Sequence, residues 1–268
     1  MRFYRDVLGF KEITRQGEAA VLSATGRSPA HVLLSASAHA KPKPPRTTGL
    51  FHVAIRYPNR RELARIFRRL LKNEWPFQGF SDHGVSEALY LADPDGNGLE
   101  LYADRPREQW RWHGAAVVMF TEPLQVDSLL SEAANDSSSA YMMPAQTDIG
   151  HVHLHVSDLK KAESFYGGVL GWEVTQRSYP GALFLSAGGY HHHVGLNVWA
   201  GQGAPPPPPE AVGLLSFSMR IPDNQTLELL SERFGSAGVP FEDRGAPNER
   251  RVLFAHDQDG NGVEIVEG

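Results

Sequence analysis

Cysteine is absent from the 268 residues, which excludes disulfide staples, thiolate nucleophiles and cysteine-ligated zinc. No apolar run approaches the roughly 18 residues of a membrane span. The first eleven residues carry Arg2, Arg5 and Asp6 and lack the apolar stretch of a secretory signal. Neither sign of charge dominates: 26 Lys plus Arg against 31 Asp plus Glu leaves −5. That balance argues against a general nucleic-acid backbone binder. There is no Gly-x-x-x-x-Gly-Lys-Ser/Thr loop, no Gly-x-Gly-x-x-Gly turn after a strand and no Gly-x-Ser-x-Gly elbow, so a phosphate cradle and a serine nucleophile find no support. With 41% apolar and 21% charged residues the chain reads as globular, in a cytoplasmic setting with no membrane or nucleic-acid partner. Histidine is what it has in plenty: twelve, many of them clustered.

The sequence repeats itself. Phe3-Tyr4-Arg5-Asp6-Val7-Leu8-Gly9-Phe10 recurs as Phe165-Tyr166-Gly167-Gly168-Val169-Leu170-Gly171-Trp172. Asp93-Pro94-Asp95-Gly96-Asn97-Gly98-Leu99-Glu100-Leu101 recurs as Asp257-Gln258-Asp259-Gly260-Asn261-Gly262-Val263-Glu264-Ile265, and Gly49-Leu50 as Gly213-Leu214. Three matches in nearly one register mark a tandem duplication.

Each half divides again. Residues 150–156 alternate, with Val152, Leu154 and Val156 on one face and His151, His153 and His155 on the other, the period of a strand. Ser157 is positioned to cap a helix running to about residue 170, and Gly171 stops it. Residues 172–175, 182–186 and 193–199 read as three short strands, so the unit is βαβββ. A second unit follows, with strands at 215–221, 252–256 and 262–266 and a helix at 224–237. The N-terminal half gives strands at 51–57, 88–92 and 98–102 and a helix over about 60–72. The expected division is a domain over 1–110, a linker over 111–148 and a second domain over 149–268. Residues 133–140 read as an inter-domain segment. The five prolines 205–209 read as a stiff spacer, or as a polyproline ligand. The repeat partner of His151 would precede Met1, so the first module opens inside its helix. A start assigned too late is favoured over the loss of an edge strand.

Four βαβββ modules with these repeated motifs and the Gly189-Tyr190-His191-His192-His193 run resemble the vicinal oxygen chelate superfamily. That superfamily includes glyoxalase I, bleomycin-resistance proteins and type I extradiol dioxygenases. Within it the chain is similar to catechol-2,3-dioxygenase-like proteins over essentially its full length. The resemblance implies an α+β fold in which the four modules pair into two glyoxalase-like half-barrel domains, the first module lacking its leading strand. Metal ligands would come from first and last strands.

The spacing His83, Leu89-Tyr90, Asp93-Pro94, Gly96, Glu100 matches the extradiol dioxygenase signature, with Ser81 departing from it. The resemblance assigns iron binding to Glu100 and His52, acid/base work to His83 and a hydrogen bond to the substrate oxygen to Tyr90. Elementary chemistry agrees with that set. Non-haem Fe(II) takes two imidazoles and a carboxylate on one face, leaving positions for a diol and O₂, and a histidine can exchange protons near neutrality. Glu100 faces away from apolar Leu99 and Leu101, and a buried carboxylate needs a partner. The same residues also suit a bare hairpin turn, with Glu100 in water. The resemblance puts the third ligand on the first strand of module one, which the sequence does not contain.

A rival set lies in the C-terminal half, where His151, His193 and Glu264 could form a second metal site. Ser216 stands there at the position matching His52, and Pro247 and Phe254 near those matching His83 and Tyr90. The histidines could equally form a polar network that holds the modules together. The reading is therefore an Fe(II)-dependent extradiol ring-cleaving dioxygenase acting on a small aromatic substrate with O₂. Mn²⁺, Ni²⁺ or Zn²⁺ are the alternative metals, and a homo-oligomer is a possible assembly. The competing readings are a glyoxalase-like lyase or isomerase and a non-catalytic, resistance-type binder of aromatic ligands.

Overall fold

The computed structural model describes residues 1–135, 141–245 and 251–268. Part of the segment read as inter-domain, and Pro247, lie outside the described residues. Two compact units form: Met1–Pro42 with His52–His151, and Lys43–Phe51 with Val152–Gly268. No helix among the described residues is long and apolar enough to cross a membrane.

The first unit opens with a π-helical turn, Phe3–Val7, followed by a three-stranded antiparallel sheet of β1 (Lys11–Gln16), β2 (Ala19–Ser23) and β3 (Val32–Ser35). Then come β4 (Gly49–Tyr57), α1 (Arg60–Lys72), β5 (Phe77–Asp82), β6 (Ser86–Ala92) and β7 (Gly98–Asp104). Within the expected linker, residues 112–131 carry secondary structure. They form β8 (Trp112–His113), β9 (Ala116–Val117), β10 (Glu122–Pro123) and α2 (Val126–Ser131), and β10 pairs with β5 in the order β10-β5-β6-β7-β4.

Helix α1 starts where the Asn59 side chain accepts from Glu62 N–H, relieving one of the unpaired donors of its first turn. Its buried stripe, Leu63, Ala64, Ile66, Phe67 and Leu70, recurs at helical spacing. The stripe covers Ile55 and Tyr57 of β4, Leu89 and Leu91 of β6, and Leu99 and Leu101 of β7 in one core. Each large side chain so buried contributes about 1.5–3 kcal/mol. Because strand side chains alternate, the opposite face of the same strands carries His52 and Ala54, Ala88 and Tyr90, Glu100 and Tyr102. One sheet face makes the core and the other makes the site.

The two repeated motifs are bonded to each other, which explains why both recur. Asp93 accepts from Asp95 N–H and Asn97 N–H at 2.9 Å and from the Asn97 amide at 3.0 Å. The Tyr4 hydroxyl completes the set at 2.9 Å. In the second unit Asp257 holds Asp259, Asn261 and Tyr166 in the same way. Thus the aromatic motif of one module locks the turn that aims Glu100, or Glu264, in the next.

In the second unit β11 (Asp148–His155) pairs in parallel with β14 (Val194–Asn197) through residues 152–155. Strand β13 (Ala182–Ser186) and β12 (Glu173–Gln176) follow it in the sheet. A second sheet has the order β15 (Ser216–Ile221), β18 (Gly262–Glu267), β17 (Val252–His256), β16 (Phe241–Arg244), with α4 (Asn224–Ala237) alongside. The helix after β11 departs from expectation in two ways. Asp158 caps it one residue later than Ser157, its Oδ1 accepting from both Lys160 and Lys161 N–H. After α3 (Leu159–Glu163) it also widens into a π-helical turn, Ser164–Val169. The proline run docks within its unit, Pro205 C=O accepting from Thr48 N–H at 3.0 Å.

Candidate metal centre

Across strands β4, β7 and β6, Ala54, Glu100 and Tyr90 stand in one row: Ala54 is in register with Glu100, and Glu100 with Tyr90. His52 and Tyr102 lie one same-face step away on β4 and β7. Ala54 and Ala88 pack with Tyr102 and Tyr90 as the floor. The three polar groups at its centre are almost fully withdrawn from solvent, with His52 at 5%, Glu100 at 3% and His151 at 3% exposure.

His52 Nε2 lies 3.0 Å from Glu100 Oε2 and His151 Nε2 lies 3.2 Å from the same oxygen. One ligand atom from each of the three residues falls within 4.8 Å of the others. The imidazole planes cross at 66° with centroids 5.6 Å apart. Bonds of about 2.0–2.2 Å from a shared ion, at right angles, separate neighbouring donor atoms by about 3 Å. That is the spacing from Glu100 to each imidazole, so two histidines and one carboxylate fit a divalent cation here. Burial pushes the Glu100 carboxyl up, but the charges and hydrogen bonds of His151 and His52 outweigh it and hold the group well below the usual carboxylate range. Glu100 does not face water, as the bare-hairpin alternative required.

The third member differs from expectation: the sequence groups His151 with His193 and Glu264, and the resemblance puts the third ligand of His52 and Glu100 ahead of Met1. Instead β11 delivers His151 to Glu100. Glu264 is engaged elsewhere, accepting from Ser216 Oγ at 2.9 Å and Ser218 Oγ at 2.8 Å, and His193 Nδ1 accepts from Ala187 N–H. Among the described residues the converging ligand-type group is His52, Glu100 and His151, without His193 or Glu264. The alternation over residues 150–156 singled out His151 as a ligand-type residue, but no local pattern says which carboxylate it meets.

Beside the trio, Tyr90 packs against the His52 ring with centroids 5.6 Å apart. Its hydroxyl is 2.7 Å from His83 Nε2. Tyr102, fully buried, lies against the His151 ring at 5.1 Å. Gly150 permits this approach: a methyl group there would overlap the Tyr102 hydroxyl and stand 2.8 Å from its Cζ. Gly150→Ala is expected to cost about 1–3 kcal/mol by overpacking and to weaken metal uptake by tilting His151. Tyr102→Leu in the same chain should recover most of the stability, measured by urea unfolding. A stable Gly150→Ala protein would show the approach to be unimportant.

The glyoxalase/bleomycin resistance protein/dioxygenase superfamily model matches residues 1–101 and 148–265. A catechol-2,3-dioxygenase from Bacillus subtilis (strain 168) is 44% identical over 247 residues, 91% of this chain and 85% of that protein. The crystal structure of a candidate dioxygenase from Bacillus subtilis subsp. subtilis str. 168 superposes with a TM-score of 0.67 at 16% identity, covering 99% of this chain and 79% of its own. Glyoxalase I from Zea mays superposes at 0.55 and 16% identity, over 99% and 86%; both structural matches speak to fold alone. With its two glyoxalase-like regions in an α+β arrangement of curled sheets and few helices, the chain belongs to the glyoxalase/bleomycin resistance protein/dioxygenase superfamily.

Proposed function

We propose that the protein is an Fe(II)-dependent extradiol dioxygenase that opens the ring of a catechol-like substrate with O₂. The observation that carries this reading is the buried convergence of His52, Glu100 and His151, and the 44% identity to a catechol-2,3-dioxygenase favours the same reaction class. His52 and His151 would hold the ion through neutral imidazoles and Glu100 through its carboxylate. When bound, Fe(II) supplies a centre at which a diol and O₂ are held side by side and exchange electron density.

The chain's own residues do the rest. Tyr90, the cross-strand neighbour of Glu100, bonds and orients a substrate oxygen. His83 behind it holds the proton that leaves the diol and returns it later. Ala54 and Ala88 make room for a flat ring, and the walls of Tyr102 and Tyr90 keep water from it.

Protein reconstituted anaerobically with Fe(II) should bind one iron per chain. Admitting O₂ with a small panel of catechols should produce the coloured product of cleavage beside the diol. Nickel or zinc in fresh protein with dicarbonyl turnover instead would establish a lyase, and a metal-free protein that binds catechols unchanged would establish a binder; either overturns the proposal. A lyase would also be favoured by a second carboxylate in the cup, and among the described residues the converging group holds one.

A further inference from the structure

We infer that Arg56 is a positioning residue for the metal centre: through its two bonds to Asp148 it fixes where β11 begins, and so delivers His151 to Glu100. This rests on the three-ligand metal site and not on the ring-cleaving reaction. Arg56 Nε lies 2.9 Å from Asp148 Oδ1, and Nη2 lies 2.6 Å from Oδ2. The remaining nitrogen, Nη1, reaches Asp104 Oδ2 at 3.4 Å. Asp148 opens β11, three residues before His151.

His52 and Glu100 stand on β4 and β7, whose ladder sets Ala54 opposite Glu100 and so fixes the two ligands against each other. His151 comes from much further along the chain, 51 residues from Glu100. Its ring meets the shared carboxylate oxygen only if the start of β11 is held at one height against that face. Two side-chain contacts hold it there. Arg56 and Tyr102 are partners in the β4–β7 ladder; Arg56 grips Asp148, and Tyr102 fits against Gly150. A slip of one residue would shift His151 by about 3.3 Å and turn its side chain to the opposite face, and Glu100 would lose it.

The chemistry of the pair suits it to setting a register. A guanidinium offers two parallel N–H groups to two carboxylate oxygens, which fixes distance and angle together, whereas a lysine offers a point charge that fixes neither. Stability is a minor part of its role. The Arg56 and Asp148 side chains keep 35% and 38% exposure, and ion pairs that open to water stabilise a fold little. Loss of the pair should therefore weaken the metal site while leaving the fold intact.

Co(II) titrated into the metal-free full chain, followed by visible absorption, tests this. Wild type should take up one Co(II). Arg56→Gln and Asp148→Asn should each weaken that binding about 10–100-fold, the range for outer supports of metal ligands, and Arg56→Lys should recover little of the loss. Urea midpoints of the metal-free variants should stay close to that of wild type. The Co(II) spectrum of Arg56→Gln should shift toward that of His151→Ala, which lacks one nitrogen ligand. Within His151→Ala, titrated to millimolar Co(II), adding Arg56→Gln should cost less than about twofold more, because a residue that acts through His151 has nothing left to act on. Wild-type affinity in Arg56→Gln, the same fold-loss with and without His151, or a large fall in both urea midpoints overturns the positioning role and leaves the three-ligand site standing. A wild type that takes up no Co(II) overturns both.

Discussion

Replacing His151 with alanine is expected to abolish stoichiometric iron uptake and to lower ring-cleaving turnover by more than the roughly 10–100-fold that loss of an outer-shell contact costs. Among the described residues no fourth ligand-type side chain joins the converging group. His52 and Glu100 remain 3.0 Å apart, but a carboxylate and one imidazole cannot complete the face that non-haem iron requires. Glu264→Gln separates this assignment from the rival one: Glu264 is held by Ser216 and Ser218, so its loss should leave the metal content at one per chain. Metal analysis of the two variants after gel filtration decides the matter. Full iron occupancy in His151→Ala would remove His151 from the ligand set.

That variant also probes what was hardest to read from the sequence. Helix α1 was legible at about 60–72 because a helix's signals lie within one stretch of chain, and the structure adds the Asn59 cap. Glu100 was legible as a residue opposed to Leu99 and Leu101, since period two decides it locally; His83 and Tyr90 were each singled out through the family resemblance, but not their bond to each other. Contacts across long separations were not. His151 lies 51 residues from Glu100, and a strand's alternation fixes its faces without naming their partners. Strand β5 was missed because Gly79 sits beside a register shift between Phe77 and Gly79, and a bulged strand lacks clean alternation. Strand β10 escaped for a related reason: it is two residues long, too short to carry any period. The repeated Asp-x-Asp-Gly-Asn-Gly turn was visible twice, but its bond to a tyrosine some 90 residues away had no sequence signature of its own.

Removing both imidazoles while keeping the carboxylate should produce the largest loss of stability. In the native protein the charges and hydrogen bonds of His151 and His52 overcome burial and hold Glu100 well below 4.5. Its pKa is thus lower folded than unfolded. Its contribution to stability is present above about pH 4.5 and is lost as pH falls toward the native value. In His52→Leu/His151→Leu only burial remains, and burial alone raises a carboxyl. The sign reverses: the folded state now holds the proton more tightly, so stability declines as pH rises above about 4.5. Metal-free double variant should therefore be less stable than wild type by about 3–5 kcal/mol near pH 7, and by less near pH 4.5, where its own burial penalty is gone while the wild type's carboxylate contribution still stands. Adding Glu100→Gln, which cannot ionise, should flatten the pH dependence and restore part of the loss. Urea unfolding at the two pH values measures all three. Equal deficits at both would mean that Glu100 is not the buried charge on which the pair of histidines acts.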